Sequence, residues 1–327
     1  MFTCADAWDR VGRQHQPMGP PTMYDALTFH TLDVFTDTPY AGNPLAVVLG
    51  ADDLDTAQMQ TIAREFNLSE TIFVMQPRDP ENAARVRIFF PTAEIPFAGH
   101  PTIGCAVLLA EMRNAAGDFD DHLVLEEEAG PVPVRLTRRG VVTTGEFVAP
   151  VLPHRTMSEA PPDLIAAALG IAPSDIGFGA HLPGVYQGGP AFLFVPVSGL
   201  DALTAARPME PGWSALMARA GVDAAYLYSP AGDRRFRARM FSPTAGIPED
   251  PATGSASALL AAALLEAGAL PEEETNLRLT QGVEMGRPSD ISLTTVVQGG
   301  QLAEVRVGGS AVRVSNGTIR VPSRSPS

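Results

Sequence analysis

The sequence predicts an α+β fold of two pseudo-symmetric domains, each a barrel-like β-sheet around a central α-helix. The first observation behind this is a repeat. RIFFPTAEIP at 87–96 returns as RMFSPTAGIP at 239–248, with seven of ten positions identical at an offset of 152. After a two-residue slip, GHPTIGCA at 99–106 aligns with EDPATGSA at 249–256 at an offset of 150. Solenoid repeats recur every ~20–50 residues, whereas this spacing is the size of a domain. The second observation is a succession of short alternating segments rich in β-branched and aromatic residues, which read as strands. The third is one nearly all-apolar helical run in each half, at 101–112 and 251–267, which is stable only if covered on every side.

The elements follow in order. The first 22 residues hold PMGPP and no apolar stretch long enough for a signal peptide, so 1–22 is expected to be a disordered leader. The N-terminal domain is placed at 23–149. Its strand 27–36 (LTFHTLDVFT) leads through the turn TPYAGNP into a short apolar strand at 45–49. Residues 55–66 have the spacing of an amphipathic helix. Strands follow at 71–75 and 84–90, then the apolar helix from Pro101, with proline at its first position. Three more strands fall at 122–128, 132–137 and 141–148. The Pro-rich stretch 150–162 is the crossing into the C-terminal domain, placed at 150–320. That domain repeats the order: strand 193–197, helix 213–220, strands 224–228 and 235–241, the second apolar helix, then strands at 277–281, 302–307 and 311–314. The tail from Arg320 is expected to be loose.

A net charge of −14 argues against nucleic acid and anionic membrane as partners. Any acidic ligand must be held by local features that overcome this field. Cys4 and Cys105 are the only cysteines. Their separation fits a reducing compartment, excludes a cysteine-based zinc site and suggests a cytoplasmic protein. No apolar run is long enough to cross a bilayer as a helix. The six histidines show no HExxH or paired spacing, so no metal site is supported. P-loop, GxGxxG and GxSxG patterns are absent as well. Glu126, Glu127 and Glu128 read as a solvated strand end.

In both copies of the repeat a strand leads into an apolar helix, and His100 and Asp250 fall at matching positions, in the expected N-cap slots. Asp is a preferred cap and His is not. Small residues follow Asp250, including Gly254 and Ser255, so a ligand could approach the helix N-terminus, which attracts anions. Asp250 alone reads equally as a plain cap, and His100 as a turn residue; their equivalence through the repeat favours a shared site. The halves differ at Glu70, in NLSETIFVM, where the matching stretch has Ala224. Glu70 borders an apolar strand, and partial burial would suit it to proton transfer. A solvated loop glutamate is the competing reading, and Ser69 beside it reads as a turn or cap residue.

DVFTDTPYAGNPLAVV, NLSETIFV, PFAGHPTIG and EDPATGSA, in that order and spacing, resemble the phenazine-biosynthesis PhzF-like family, a relative of diaminopimelate epimerase. The resemblance covers 27–314. It implies two diaminopimelate-epimerase-like domains with the active site between them, no cofactor or metal, and a homodimer. It further implies that Glu70, His100 and Asp250 are catalytic, and that Ser69, Gly99, Gly254 and Ser255 bind substrate. The related epimerases oppose two cysteines; here those motifs hold Gly99 with His100 and Asp250 with Pro251, which disfavours a two-thiol racemase. The family reaction, isomerisation of trans-2,3-dihydro-3-hydroxyanthranilate, moves a proton between carbons and needs one base, in keeping with Ala224 at the position that matches Glu70. An epimerase or racemase of a small amino or hydroxy acid, and a metabolite binder without turnover, are the alternatives.

Overall fold

A computed structural model describes residues 26–324. The leader expected over 1–22 lies outside the described residues. The chain contains two compact units. One comprises residues up to 40, then 44–147 and 309 onward; the other comprises 41–43 and 148–308.

In the first unit the strands pair in a ring. Its order is Ala26–Val34, Asn43–Leu49, Glu70–Met75, Ala84–Phe89, Phe119–Glu127, Gly130–Arg139, Val142–Val148 and the long last strand Gln301–Arg320, which returns to Ala26–Val34. Asn43–Leu49 pairs in parallel with Glu70–Met75, and Ala84–Phe89 in parallel with Phe119–Glu127. The helix Gly99–Arg113 touches four of the strands, and every residue from Gly99 to Ala110 is buried. A helix apolar all round belongs in such a place. A Cβ at Gly104 would lie 2.5 Å from Leu45 Cδ2 and 2.7 Å from Val34 Cγ2, so glycine sets how closely helix and sheet approach. On the other face of the sheet lies the amphipathic helix Thr56–Phe66, started by a reciprocal Asp55–Gln58 capping box. Its Met59 and Ile62 pack with Phe73, Met75 and Phe89.

All six residues of Glu70–Met75 are therefore buried, because both faces of that strand are covered. Side chains alternate along a strand. Phe73 and Met75 belong to the outer cluster, so Glu70, Ile72 and Val74 point to the side of the central helix. The strand period itself delivers Glu70 to that helix.

The second unit follows the same element order. Gly184–Gln187, Ala191–Pro196, Ala225–Gly232, Arg235–Ser242, Glu274–Gln281, Ser289–Gln298 and the first part of Gln301–Arg320 pair in sequence, again with two parallel steps. The helix Gly254–Glu266 is packed against Gly184–Gln187, Ala191–Pro196 and Ser289–Gln298, and it too is nearly wholly buried. Outside the sheet a second core forms around Trp213 and Leu216 of the helix Gly212–Ala220, with Ile165 and Leu169 of Pro162–Leu169. The helices Pro162–Leu169 and Leu200–Ala205 were not anticipated from the sequence.

The strand pairs put the halves on a common count. Thr71 pairs with Phe89, and Ala225 pairs with Phe241. Counting back one residue sets Ala224 at the position of Glu70. The repeated arginines have a structural job. Arg87 makes a two-pronged contact to Glu94 at 2.6 Å and lies over the Phe89 ring; Arg239 does the same to Glu249 at 2.9 Å and lies over Phe241. Bidentate guanidinium–carboxylate pairs of this kind fix geometry.

Four expectations are corrected. Residues 302–307 and 311–314 belong to one strand, Gln301–Arg320; Gly308–Ser310 interrupts the side-chain pattern but not the strand. The tail is tied down as far as it is described: Gln58 Nε2 donates to Pro322 O at 2.6 Å, and Val321 packs on the outer cluster. Glu127 is buried rather than solvated, because strand alternation turns it inward between Glu126 and Glu128. The helix starts also differ from expectation. Ala98 is the N-cap of Gly99–Arg113, making His100 its second residue. Thr253 is the N-cap of Gly254–Glu266, and Asp250 ends the strand Ile247–Asp250. Proline did not mark the first helical residue in either half, because side chains packed on the turn delay the second helix to Gly254.

Candidate active site

In the first unit, Glu70 and His100 meet. The His100 Nδ1 lies 3.2 Å from Glu70 Oε2, and both residues are buried. Burial pushes the His100 pKa down to about 3, against the smaller upward pull of a hydrogen bond to the Pro44 backbone. At neutral pH the imidazole is thus uncharged. A neutral imidazole carries a single N–H, and Nε2 is buried without a hydrogen-bond partner among the described residues. Ser69 is half-buried directly before Glu70, and Gly99 is the first residue of the helix. Neither central helix has a side-chain cap at its start, so its first N–H groups are not taken up by a capping side chain.

Two residues below His100, a second acid is enclosed. Thr102 Oγ1 lies 2.7 Å from Ala98 O and 2.6 Å from Glu127 Oε1. A hydroxyl has one hydrogen to give, and the carbonyl can only accept. Both contacts are satisfied when Glu127 is protonated and donates to Thr102. Burial, acting against the Thr102 contact, pushes the Glu127 pKa up to about 8, which agrees. Cys105, which matches Ser255 in the repeat, is buried, and its thiol is pushed up by burial first and by Glu127 second.

In the second unit, Asp250 sits in a dense polar cluster. Asn43 Nδ2 donates to Asp250 Oδ1 at 2.8 Å and to Ala252 O at 2.9 Å. Thr253 Oγ1 contacts Asp250 Oδ2 at 2.6 Å. Gln281 Nε2 donates to Asp250 O and to Thr253 Oγ1, while its Oε1 accepts from Thr253 N. Ser289 Oγ donates to Pro251 O at 2.8 Å. Gly254 and Ser255 open the helix immediately beyond, Gly254 buried and Ser255 half-buried. The sequence reading missed Asn43, Thr253 and Gln281. Asn43 lies in AGNP, where it reads as an ordinary turn residue. Yet 41–43 belong to the second unit: Arg287 donates to the carbonyls of Gly42 and Ala41, and Gly42 N donates to Pro288 O. Among the described residues no group of three His, Cys, Asp or Glu side chains is arranged to hold a metal, and no helix is long and apolar enough to cross a membrane.

Sheets wrapped around buried helices define an epimerase-like fold, and at the start of one of those helices a carboxyl group lies against a neutral imidazole. The chain belongs to the phenazine biosynthesis-like (PhzC-PhzF) family, whose model matches residues 32–317, and it is an enzyme of the isomerase class. It is 45% identical to an uncharacterized isomerase of Mesorhizobium japonicum, over 88% of this chain and 96% of that protein. It is 40% identical to the trans-2,3-dihydro-3-hydroxyanthranilate isomerase of Pseudomonas fluorescens, over 88% of this chain and 97% of the relative. The crystal structure of a Bacillus anthracis phenazine biosynthesis protein of the PhzF family superposes with a TM-score of 0.79 at 24% identity, covering 90% of this chain and 99% of that one; at this identity the likeness is one of fold.

Proposed function

We propose that the chain is a cofactor-independent isomerase that moves a proton on a small carboxylic acid resembling trans-2,3-dihydro-3-hydroxyanthranilate. Glu70 is the base in this reading. Its carboxylate takes a proton from one carbon, the C–H electron pair shifts into the π-system, and the double bond moves. The same carboxyl group then returns the proton to a second carbon, so that no external acid, base or oxidant is consumed. His100 stays neutral and orients the Glu70 carboxylate from Nδ1. Asp250 positions the reacting carbon of the substrate or assists the proton transfer, and Ser69 with the backbone of Gly99, Gly254 and Ser255 binds the rest of the molecule. A helix N-terminus suits a carboxylate even in a chain of net charge −14.

The observation that carries this reading is the buried 3.2 Å contact between Glu70 and His100. The family relatives named as isomerases support the reaction class. That Ala224 stands where Glu70 does favours a single shuttling base over an epimerase with acids on two faces. The test is Glu70→Gln assayed on trans-2,3-dihydro-3-hydroxyanthranilate. Turnover falls at least ~100-fold, as expected for loss of a general base, while affinity changes little. Unchanged turnover removes Glu70 as the base.

A further inference from the structure

We propose that Asn43 and Gln281 are positioning residues that hold Asp250 in its ionised form and in one fixed orientation. Hydrogen-bond direction fixes how both amides are turned. Asn43 Nδ2 faces two acceptors, Asp250 Oδ1 at 2.8 Å and Ala252 O at 2.9 Å. A backbone carbonyl cannot donate, so the amide nitrogen must occupy this position, and Asp250 Oδ1 accepts. Gln281 is oriented just as firmly. Its Oε1 receives the Thr253 N–H at 3.2 Å, so its Nε2 faces Asp250 O at 2.8 Å and Thr253 Oγ1 at 3.0 Å. Thr253 Oγ1 accepts from Gln281 with one lone pair and donates its own hydrogen to Asp250 Oδ2 at 2.6 Å. Both carboxylate oxygens accept, and hydrogen bonds to the charged form of an acid favour that form.

The arrangement has a cost that a purely structural polar cluster would avoid. Asn43 is fully buried, and its Oδ1 has no hydrogen-bond partner among the described residues. A buried acceptor without a partner is destabilising. Turning the amide over would relieve nothing, since it would set Oδ1 against two acceptors. Such a locally unfavourable residue is expected where function constrains the choice. The anchoring of 41–42 by Arg287 serves the same end, because it brings Asn43 to Asp250 from a distant part of the chain. Titratable groups next to Asp250 include Tyr226, whose hydroxyl is pushed up chiefly by burial and is also raised by the Asp250 charge, and Glu249, which is engaged by Arg239. With Tyr226 neutral and Glu249 paired, Asn43 and the Gln281–Thr253 relay bear directly on the Asp250 proton through its two carboxylate oxygens.

This inference rests on the proposed role of Asp250, so the experiment reads the two separately. The Asp250 carboxyl is followed by carbon-13 titration, assigned against Asp250→Asn, in the native chain and in Asn43→Ala and Gln281→Met. Turnover of trans-2,3-dihydro-3-hydroxyanthranilate is measured alongside. Asn43→Ala raises the Asp250 titration midpoint by at least one pH unit and lowers kcat at least tenfold with KM changed less than threefold. Gln281→Met raises the midpoint too, by releasing the Thr253 hydroxyl from its orientation, and serves alone if Asn43→Ala fails to fold. A folded variant whose Asp250 titrates as in the native chain overturns the proposal. A raised midpoint in a chain that never turns the acid over upholds the positioning role and refutes the proposed reaction.

Discussion

Single residues in this chain take their chemistry from enclosure more than from neighbouring charge, and this gives its stability a defined pH dependence. His100 holds its proton only below about pH 3 when folded, against an ordinary value of 6.5. Unfolding therefore takes up a proton between those values, and the His100 contribution is lost as pH falls from 6.5 toward 3. Glu127 is the reverse case. Folded, it keeps its proton up to about pH 8, against an ordinary 4.5, so unfolding releases a proton in that window and its contribution is lost as pH rises from 4.5 to 8. The two slopes oppose each other between 4.5 and 6.5. Urea unfolding of Glu127→Gln, compared with the native chain across pH 5 to 9, removes the alkaline decline attributable to this carboxyl. A decline of equal slope in both proteins contradicts a protonated Glu127. In the sequence Glu127 was hidden inside a run of three glutamates, where only strand phase distinguishes the buried one. Glu70 was legible for the opposite reason, since it opens an apolar strand.

Elements explain why the candidate site was partly readable and partly not. Strand period and helix apolarity are local signals, and the two central helices and most strands follow from them. The helix starts were misplaced because capping was inferred from Pro101 and Pro251, whereas the second start is set by Gln281 and Ser289, which hold the 250–253 turn from distant strands. Gly282 shows the tightness of that support. It has φ +75°, and a Cβ there would lie 2.4 Å from Arg287 O and 2.6 Å from Pro251 O. Gly282→Ala is expected to destabilise the chain by about 2 kcal/mol or more, from backbone strain and displacement of the turn, with a fall in thermal midpoint and loss of turnover together. Native stability in that variant would show that the turn at Pro251 is free to move.

At the scale of the whole chain, the repeat is the feature most readily seen in sequence, and its meaning is divided. The arginines and aromatics of RIFFPTAEIP and RMFSPTAGIP serve as paired clamps in each unit, Arg87 with Glu94 and Arg239 with Glu249. The residues proposed to carry the chemistry lie where the halves diverge, with Glu70 at the position of Ala224 and an imidazole in one unit where the other has a hydrogen-bonded aspartate. Long-range exchange of segments was not readable: 41–43 join the second unit, and the last strand, begun there, ends in the first. Pairing partners so far apart leave no local trace. One carboxyl group is proposed to move the hydrogen, and the fate of a label on the substrate tests this most directly. With trans-2,3-dihydro-3-hydroxyanthranilate deuterated at the carbon that gives up its proton, the native chain delivers deuterium to the carbon that receives one, and Glu70→Gln delivers none above the uncatalysed rate. Equal delivery by the two proteins, or product from the native chain with no deuterium at that carbon, would contradict a single shuttling carboxyl group.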